Sequence, residues 1–119
     1  MANPNIVNVT TINGQTAAAE LTTSSAAIVT NASASGKIYK INTILVANKD
    51  GSNNADATVY FNDGSTDFAL ASTITVPADS SLVVTDKNSS FYLTENTSVK
   101  ALASANGDLD IVISYEEIS

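Results

Sequence analysis

Along the last part of the chain, apolar and polar residues alternate with a period of two. Leu109, Ile111, Ile113 and Tyr115 are separated by residues that are mostly polar. This period is typical of a β-strand that buries one face and exposes the other to water. From Ser72 to the C-terminus, similar runs are separated by clusters of turn-forming residues, and the whole stretch predicts four short strands.

The middle of the chain contains the densest apolar run, KIYKINTILVAN, which follows Gly36. Few of its positions are fully polar, which predicts a central strand covered on both faces. Residues 49–55 are rich in Asp, Asn, Ser and Gly and predict a loop, after which residues 57–62 return as a strand. A turn at residues 63–65 and two short strands, residues 67–72 and 73–76, complete this part, and Pro77 ends the last strand.

The N-terminal part is also predicted to be β-structure. Residues 6–11 alternate like a strand, and the Asn13-Gly14 dipeptide that follows is a strong hairpin signal. The next stretch is rich in alanine, but Thr and Ser residues interrupt any helical period. We therefore predict two further short strands, over residues 17–22 and 27–31.

These runs give eight to ten short strands at regular spacing. The fold expected is all-β, a single-domain antiparallel β-sandwich of the jelly-roll or Ig-like type. At 119 residues the chain is long enough to enclose one hydrophobic core. We expect residues 6–119 to form this domain and residues 1–5 to form an N-terminal arm.

The charge balance restricts the partners of the protein. The chain carries 12 acidic residues, five lysines and no arginine, for a net charge of −7. Nucleic-acid binding needs clustered basic side chains, so we expect no nucleic-acid partner. No apolar run approaches the roughly 18 residues of a membrane span, and the first residues lack the features of a secretion signal. We expect no membrane partner and synthesis in a cytoplasm.

The chain offers few groups for catalysis. Without histidine or cysteine, it lacks the usual general base near neutral pH and the strongest nucleophile. Carboxylates are plentiful, but three Phe, four Tyr and no Trp make a sugar-stacking cleft with paired acids a poor alternative. We expect no enzyme, and no catalytic, cofactor-binding or metal-binding residues.

The acidic loop that begins at Asp50 places oxygen-bearing side chains at alternate positions, as in the first half of a calcium loop. An EF-hand loop has glycine at its sixth position and glutamate at its twelfth, whereas this loop has Ala55 and Phe61 there. A turn rich in Asp, Asn and Gly needs no ion, so we expect a solvated connection between strands.

The four tyrosines each fall inside a predicted strand. They are Tyr39, Tyr60, Tyr92 and Tyr115. Tyrosine is favoured in recognition surfaces, but it also packs well in half-buried strands. We favour packing over recognition for these four residues.

Four stretches carry a resemblance to a known group of proteins and together cover most of the chain. They are MANPNIVNVTTINGQTA, GKIYKINTILVAN, STITVPADSSLVVTDK and ALASANGDLDIVISYEEIS. With its VPA step before a Val-rich strand and its ASAN…SYEEI ending, the chain resembles small virion structural proteins of tailed bacteriophages. The likeness is greatest to those of large contractile-tailed marine cyanophages. The chain departs from their pattern at residues 93–97, where an acidic-glycine turn is more usual.

The resemblance implies a place in a virion. A compact acidic sandwich without heptads or repeats is suited to capsid decoration, as a cement protein on the outer surface of the assembled head. The partners implied are the major capsid protein or another virion protein, and a homo-oligomer such as a trimer stays open. An extended arm can add a strand to a neighbour's sheet, so the expected contact residues are Asn3, Pro4, Asn5, Ile6, Val7, Asn8 and Val9.

Two other virion roles stay open at this point. One is a neck or tail accessory subunit that forms a ring. The other is a host-surface or glycan-binding module on the tail or fibre, with residues 49–55 and 62–66 as its binding loops. Copy number separates these roles, since a decoration protein occurs in far more copies per particle than an adsorption module.

Overall fold

The structure is a computed structural model that describes residues 10–119. These residues form nine strands in two antiparallel sheets, together with one short 3₁₀ turn at Lys87–Ser89. The expected all-β antiparallel sandwich is therefore confirmed. The strands are β1 (Ile12–Glu20), β2 (Ala26–Asn31), β3 (Ile38–Asn48), β4 (Ala55–Asn62), β5 (Asp67–Val76), β6 (Ser81–Thr85), β7 (Phe91–Leu93), β8 (Thr97–Ala103) and β9 (Leu109–Ile118).

The order of the strands identifies the sandwich as a jelly roll. The first sheet has the order β1-β9-β3-β6, with β7 also paired to β3, and the second has the order β2-β8-β4-β5. An Ig-like sandwich keeps its first two strands in one sheet. Here β1 and β2 lie in different sheets, and most connections cross between the sheets, as in a jelly roll.

The core between the sheets is aliphatic. The alternation predicted for the last strand is confirmed, because Leu109, Ile111 and Ile113 of β9 are completely buried. They pack with aliphatic residues of β3, β4 and β8 in one cluster. All three phenylalanines of the chain lie outside the buried set, which is unusual because phenylalanine is often fully buried.

The strand β3 is central in its sheet, as predicted, with β9 on one side and β6 and β7 on the other. Ile41, Ile44 and Val46 are completely buried in the core. Ile41 and Ile44 are three positions apart, and Ile44 and Val46 are two apart. The longer spacing arises because the register with β9 shifts between Ile41 and Thr43. The prediction of cover on both faces is wrong, since Leu45 on the other face is 38% exposed. The dense apolar pattern comes partly from this irregularity.

The hairpin predicted at Asn13-Gly14 is also wrong. Both residues lie within β1 and pair with Glu117 and Glu116 of β9. A continuous ladder of nine residue pairs outweighs the local turn preference of this dipeptide. The strand predicted over residues 17–22 is the second half of β1, which ends at Glu20.

Four other strand predictions have clear outcomes. The strands predicted over residues 27–31 and 57–62 are confirmed as β2 and β4. The strands predicted over residues 67–72 and 73–76 are one strand, β5. The predicted break falls at Thr73, which has a φ of 52°, and its N–H donates to Thr58 Oγ1 at 3.0 Å. The break is therefore an irregularity inside a continuous strand.

Candidate functional site

The sandwich is open along the edge where β5 and β7 lie. Phe61 of β4 is paired with Phe68 of β5, and Phe91 of β7 is paired with the core residue Ile41. Residues paired across strands point to the same side of a sheet, so these rings lie on the core side. Phe68 is nevertheless 52% exposed, and Leu70, at an irregularity in the pairing of β5 with β4, is 38% exposed.

These side chains line a groove of about 410 Å³. The rings of Phe61 and Phe91 meet edge to face across the two sheets, with centroids 6.1 Å apart and planes at 83°. The ring of Phe68 stacks on Phe61 at 6.5 Å and 30°. We call this feature the apolar groove, and its lining residues are Phe61, Phe68, Leu70, Ser89, Phe91 and Tyr92.

One wall of the apolar groove is positioned by the turn between β4 and β5. Asp63 accepts hydrogen bonds from the backbone N–H groups of Ser65 and Thr66, at 3.1 and 2.8 Å. These bonds stabilise the carboxylate and lower the pKa of Asp63 below its usual value. Asn62 Nδ2 also donates to Asp67 Oδ1 at 2.7 Å, which closes the loop and aligns the two phenylalanine-bearing strands.

The other wall is positioned by the 3₁₀ turn before β7. The Asp86 carboxylate accepts a hydrogen bond from the N–H of Asn88 at 2.9 Å and caps the turn. The Thr85 hydroxyl donates to the carbonyl of Ser89 at 2.8 Å. These contacts hold the chain that leads directly into Phe91 at the edge of the first sheet.

Within residues 10–119, the strand β5 presents a free edge beside the apolar groove. It is the last strand of its sheet, and of its ten residues only Val76 is buried. Its single charged residue, Asp67, lies at one end, and the strand contains no lysine or proline. Proteins commonly protect an edge strand with such residues, because its unpaired backbone groups can pair with another chain. The pairing of β5 with β4 is regular from Asp67 to Ala69 and shifts between Ala69 and Ala71, which leaves Asp67 to Ala69 as the flatter part of this edge.

The tyrosines separate into two groups. Tyr39 and Tyr115 pack against each other with ring centroids 5.3 Å apart, and Tyr39 is buried. Burial and the neighbouring Glu117 carboxylate raise the pKa of Tyr39 to about 12, and burial raises the pKa of Tyr115 as well. Tyr92, in contrast, is 41% exposed and lines the apolar groove.

Sequence reasoning missed the phenylalanines. Each lies near the end of a strand, beside turn residues. Phe61 precedes Asn62-Asp63-Gly64, Phe68 follows Asp67, and Phe91 follows Ser90. Aromatic residues in that position could have indicated a site at one end of the sandwich. Their convergence depends on the jelly-roll topology, which strand patterns alone do not fix.

The loop at residues 49–55 uses its polar groups within the fold. Asp50 Oδ1 accepts hydrogen bonds from the N–H groups of Ser52 and Asn53 at 2.8 and 3.2 Å, and these bonds lower the pKa of Asp50. Lys49 forms ion pairs with Glu20 and Asp110, at 2.5 and 3.0 Å. The carboxylate of Asp50 thus stabilises its own turn.

The remaining chemistry of the described residues is limited. Across residues 10–119, no three Asp or Glu side chains are grouped so as to hold a metal ion. In the same range, every buried side-chain nitrogen or oxygen has a hydrogen-bond partner. That part of the chain also contains no helix long and apolar enough to cross a membrane.

The contact residues expected from the sequence, Asn3 to Val9, lie outside the described residues. The described chain starts beside the C-terminus, where the N–H of Thr10 donates to the carbonyl of Ser119 at 2.7 Å and that of Thr11 donates to it at 3.0 Å. The described part of the chain therefore begins at the edge formed by β1 and β9.

Comparison with known proteins identifies a structural neighbour. No protein-family model matches the chain, and no curated protein sequence matches it. The whole chain is similar in structure to 96% of a chain from Bacillus endospore appendages, which form a family of disulfide-linked pili. The TM-score is 0.55 and the sequence identity is 18%. At this identity the likeness shows a shared fold and does not assign a function.

Proposed function

We propose that this protein is a non-enzymatic structural subunit of a phage virion, and that it decorates the outer surface of the assembled head as a cement protein. The apolar groove beside the free edge of β5 carries this proposal. It offers apolar side chains and unpaired backbone groups together, which is what a strand from another chain requires. The described residues thus provide an apolar surface that is available for assembly.

Cementing follows from selective binding. A subunit that binds the assembled shell and not its free components shifts the equilibrium toward the shell. Leu45, Val83 and Val112 are exposed and adjacent on the outer face of the first sheet, and they support such binding because covering them removes apolar surface from water. The jelly-roll fold occurs in viral capsid domains, which is compatible with this role, although the fold serves other functions too.

The direct test is binding to heads purified without this protein. We expect the protein to sediment with assembled heads, to bind free capsid subunits far more weakly, and to raise the temperature at which the heads disrupt. Equal binding to free subunits and heads would contradict cementing. Absence of binding to heads, together with binding to necks or tails, would favour the accessory role instead.

A second candidate function is a subunit of a filamentous appendage. The similarity of the whole chain to the Bacillus pilus protein favours it. This chain has no cysteine, so a filament of it would be held by non-covalent contacts and not by disulfides. Electron microscopy of the purified protein tests this candidate, and regular filaments that persist under reducing conditions would support it over decoration.

A further inference from the structure

We propose that the apolar groove of one copy binds the N-terminal segment of a neighbouring copy, with residues 5–9 added as a strand along the free edge of β5. This inference rests on the proposed structural role and names the partner in assembly as a second copy of the chain. It gives the predicted contact residues a receptor, and it leaves the outer faces of the sheets for the shell.

The receptor, which is the apolar groove with the free edge of β5, lacks side-chain cover and backbone pairing, and one extended segment would supply both. Phe68 and Leu70 both line the groove but are 52% and 38% exposed, so no side chain of residues 10–119 covers the space beside them. The outer edge of β5 has no paired strand within residues 10–119. An added strand would pair with the backbone and insert alternate side chains beside Phe68 and Leu70.

The N-terminal segment has the composition that this receptor requires. Residues 5–9 read Asn-Ile-Val-Asn-Val, with no charge and three β-branched apolar residues. In an extended strand Val7 and Val9 would lie on one side, at the same two-residue spacing as Phe68 and Leu70. The groove lining is likewise free of charged residues. An apolar pair would therefore meet an apolar receptor.

The same segment is too short to fill the groove of its own chain. From β1 to β7 the first sheet crosses three strand spacings, roughly 14 Å. Phe91 pairs with Ile41, and Ile41 pairs with Tyr115. Tyr115 lies four residues before Ser119, which is beside Thr10, and these four residues add about 13 Å along the strands. The straight distance is thus about 19 Å. Val7 is three residues before Thr10 and reaches at most about 11 Å from it.

The separation of donor and receptor also determines the type of assembly. Thr10, the residue that follows the segment, lies at the β1 and β9 edge, whereas the groove lies at the opposite edge, between β5 and β7. A contact between two different surfaces is head-to-tail, and its repetition gives a closed ring or a continuous filament. A closed ring such as a trimer fits a decoration protein.

Because the chain has no cysteine, engineered cysteines test the contact cleanly. We would prepare Val7→Cys and Leu70→Cys as separate full-length variants, mix them and oxidise. The matched control replaces Leu70→Cys with Val112→Cys, since Val112 is also 38% exposed but lies on β9. We expect at least about tenfold more disulfide-linked heterodimer from the Val7 and Leu70 mixture than from the control, as an effective concentration near millimolar implies.

Equal cross-linking in the two mixtures would overturn the inference, as would a wild-type protein that is monomeric at the concentrations used. A second measurement does not depend on oxidation. By light scattering, Val7→Asp should dissociate the wild-type oligomer to monomer, whereas Val112→Asp should not. An oligomer that survives Val7→Asp would also overturn the inference. Head binding that persists while cross-linking fails would leave the proposed decoration role standing without this contact.

Discussion

The edge-to-face contact between Phe61 and Phe91, with ring centroids 6.1 Å apart and planes at 83°, joins the two sheets at the open edge of the sandwich. Such pairs add to the free energy gained by burial. Phe68 stacks on the outer side of Phe61 but is 52% exposed. The inner two rings therefore stabilise the sandwich, and the outer ring is available for a partner.

Alanine substitution should separate these two roles. Phe61→Ala removes both ring contacts and part of the packing against the core, so we expect the free energy of unfolding to fall by about 2–3 kcal/mol. Phe68→Ala should cost less than about 1 kcal/mol because half of its surface is already in water. Urea denaturation of monomeric protein measures both values. Equal losses would mean that Phe68 is covered within its own chain.

The buried Asn31 should be important for stability. Its Nδ2 donates to the carbonyls of Lys37 and Leu93, both at 2.9 Å, and its side chain is completely buried. Asn31→Ala would leave these acceptors unpaired, and we expect a loss of about 2 kcal/mol in unfolding free energy. The exposed Asn13 is the control, and Asn13→Ala should change stability by less than about 0.5 kcal/mol. A similar effect at both positions would contradict this account.

Stability should decline at high pH because of Tyr39. In the folded protein, burial and Glu117 raise the pKa of Tyr39 from 10.0 to about 12, so the folded state retains the phenolic proton to higher pH than the unfolded chain. The stability that this proton contributes is fully present below pH 10 and is lost as the pH rises toward 12.

Urea unfolding at a series of pH values measures this decline. Tyr39→Phe has no phenolic proton at this position and should decline less steeply between pH 10 and 12 than the wild type. Tyr92→Phe, which changes an exposed tyrosine, serves as the control. Parallel curves for the wild type and Tyr39→Phe would show that this group does not produce the decline.

A charge on the free edge of β5 should reduce association without unfolding the protein. Ala69 is exposed and regularly paired with Tyr60, so Ala69→Lys adds the kind of residue that protects edge strands. We expect a weaker oligomer by light scattering and a change in unfolding free energy of less than about 0.5 kcal/mol. Ala18→Lys, on the edge strand β1, is the control and should leave the oligomer intact. The reverse result would assign association to β1.

Periodicity predicted the strands whose partners bury one face. The alternation in β9 and the short runs of β2 and β4 were sufficient because one side of each strand meets the core. The Asn13-Gly14 hairpin failed because the ladder from β1 to β9 depends on residues about a hundred positions away. Local preference contains no information about a partner at that distance.

The candidate site was less predictable than the fold. The loop at residues 49–55 has the acidic composition of a candidate binding loop, yet Asp50 accepts hydrogen bonds within its own turn. The apolar groove joins Phe61, Phe68 and Phe91 from three strands of two sheets. Each of these residues alone resembles ordinary strand packing. Only the order of the strands places them at an edge that no other described element covers.

The position and copy number of this protein on purified virions test the central claim most directly. A localised reconstruction combined with quantitative mass spectrometry would provide both. We predict many copies in a regular pattern over the outer surface of the head, each within reach of its neighbours. A few copies confined to the neck, tail or fibres, or absence from the particle, would contradict the decoration role.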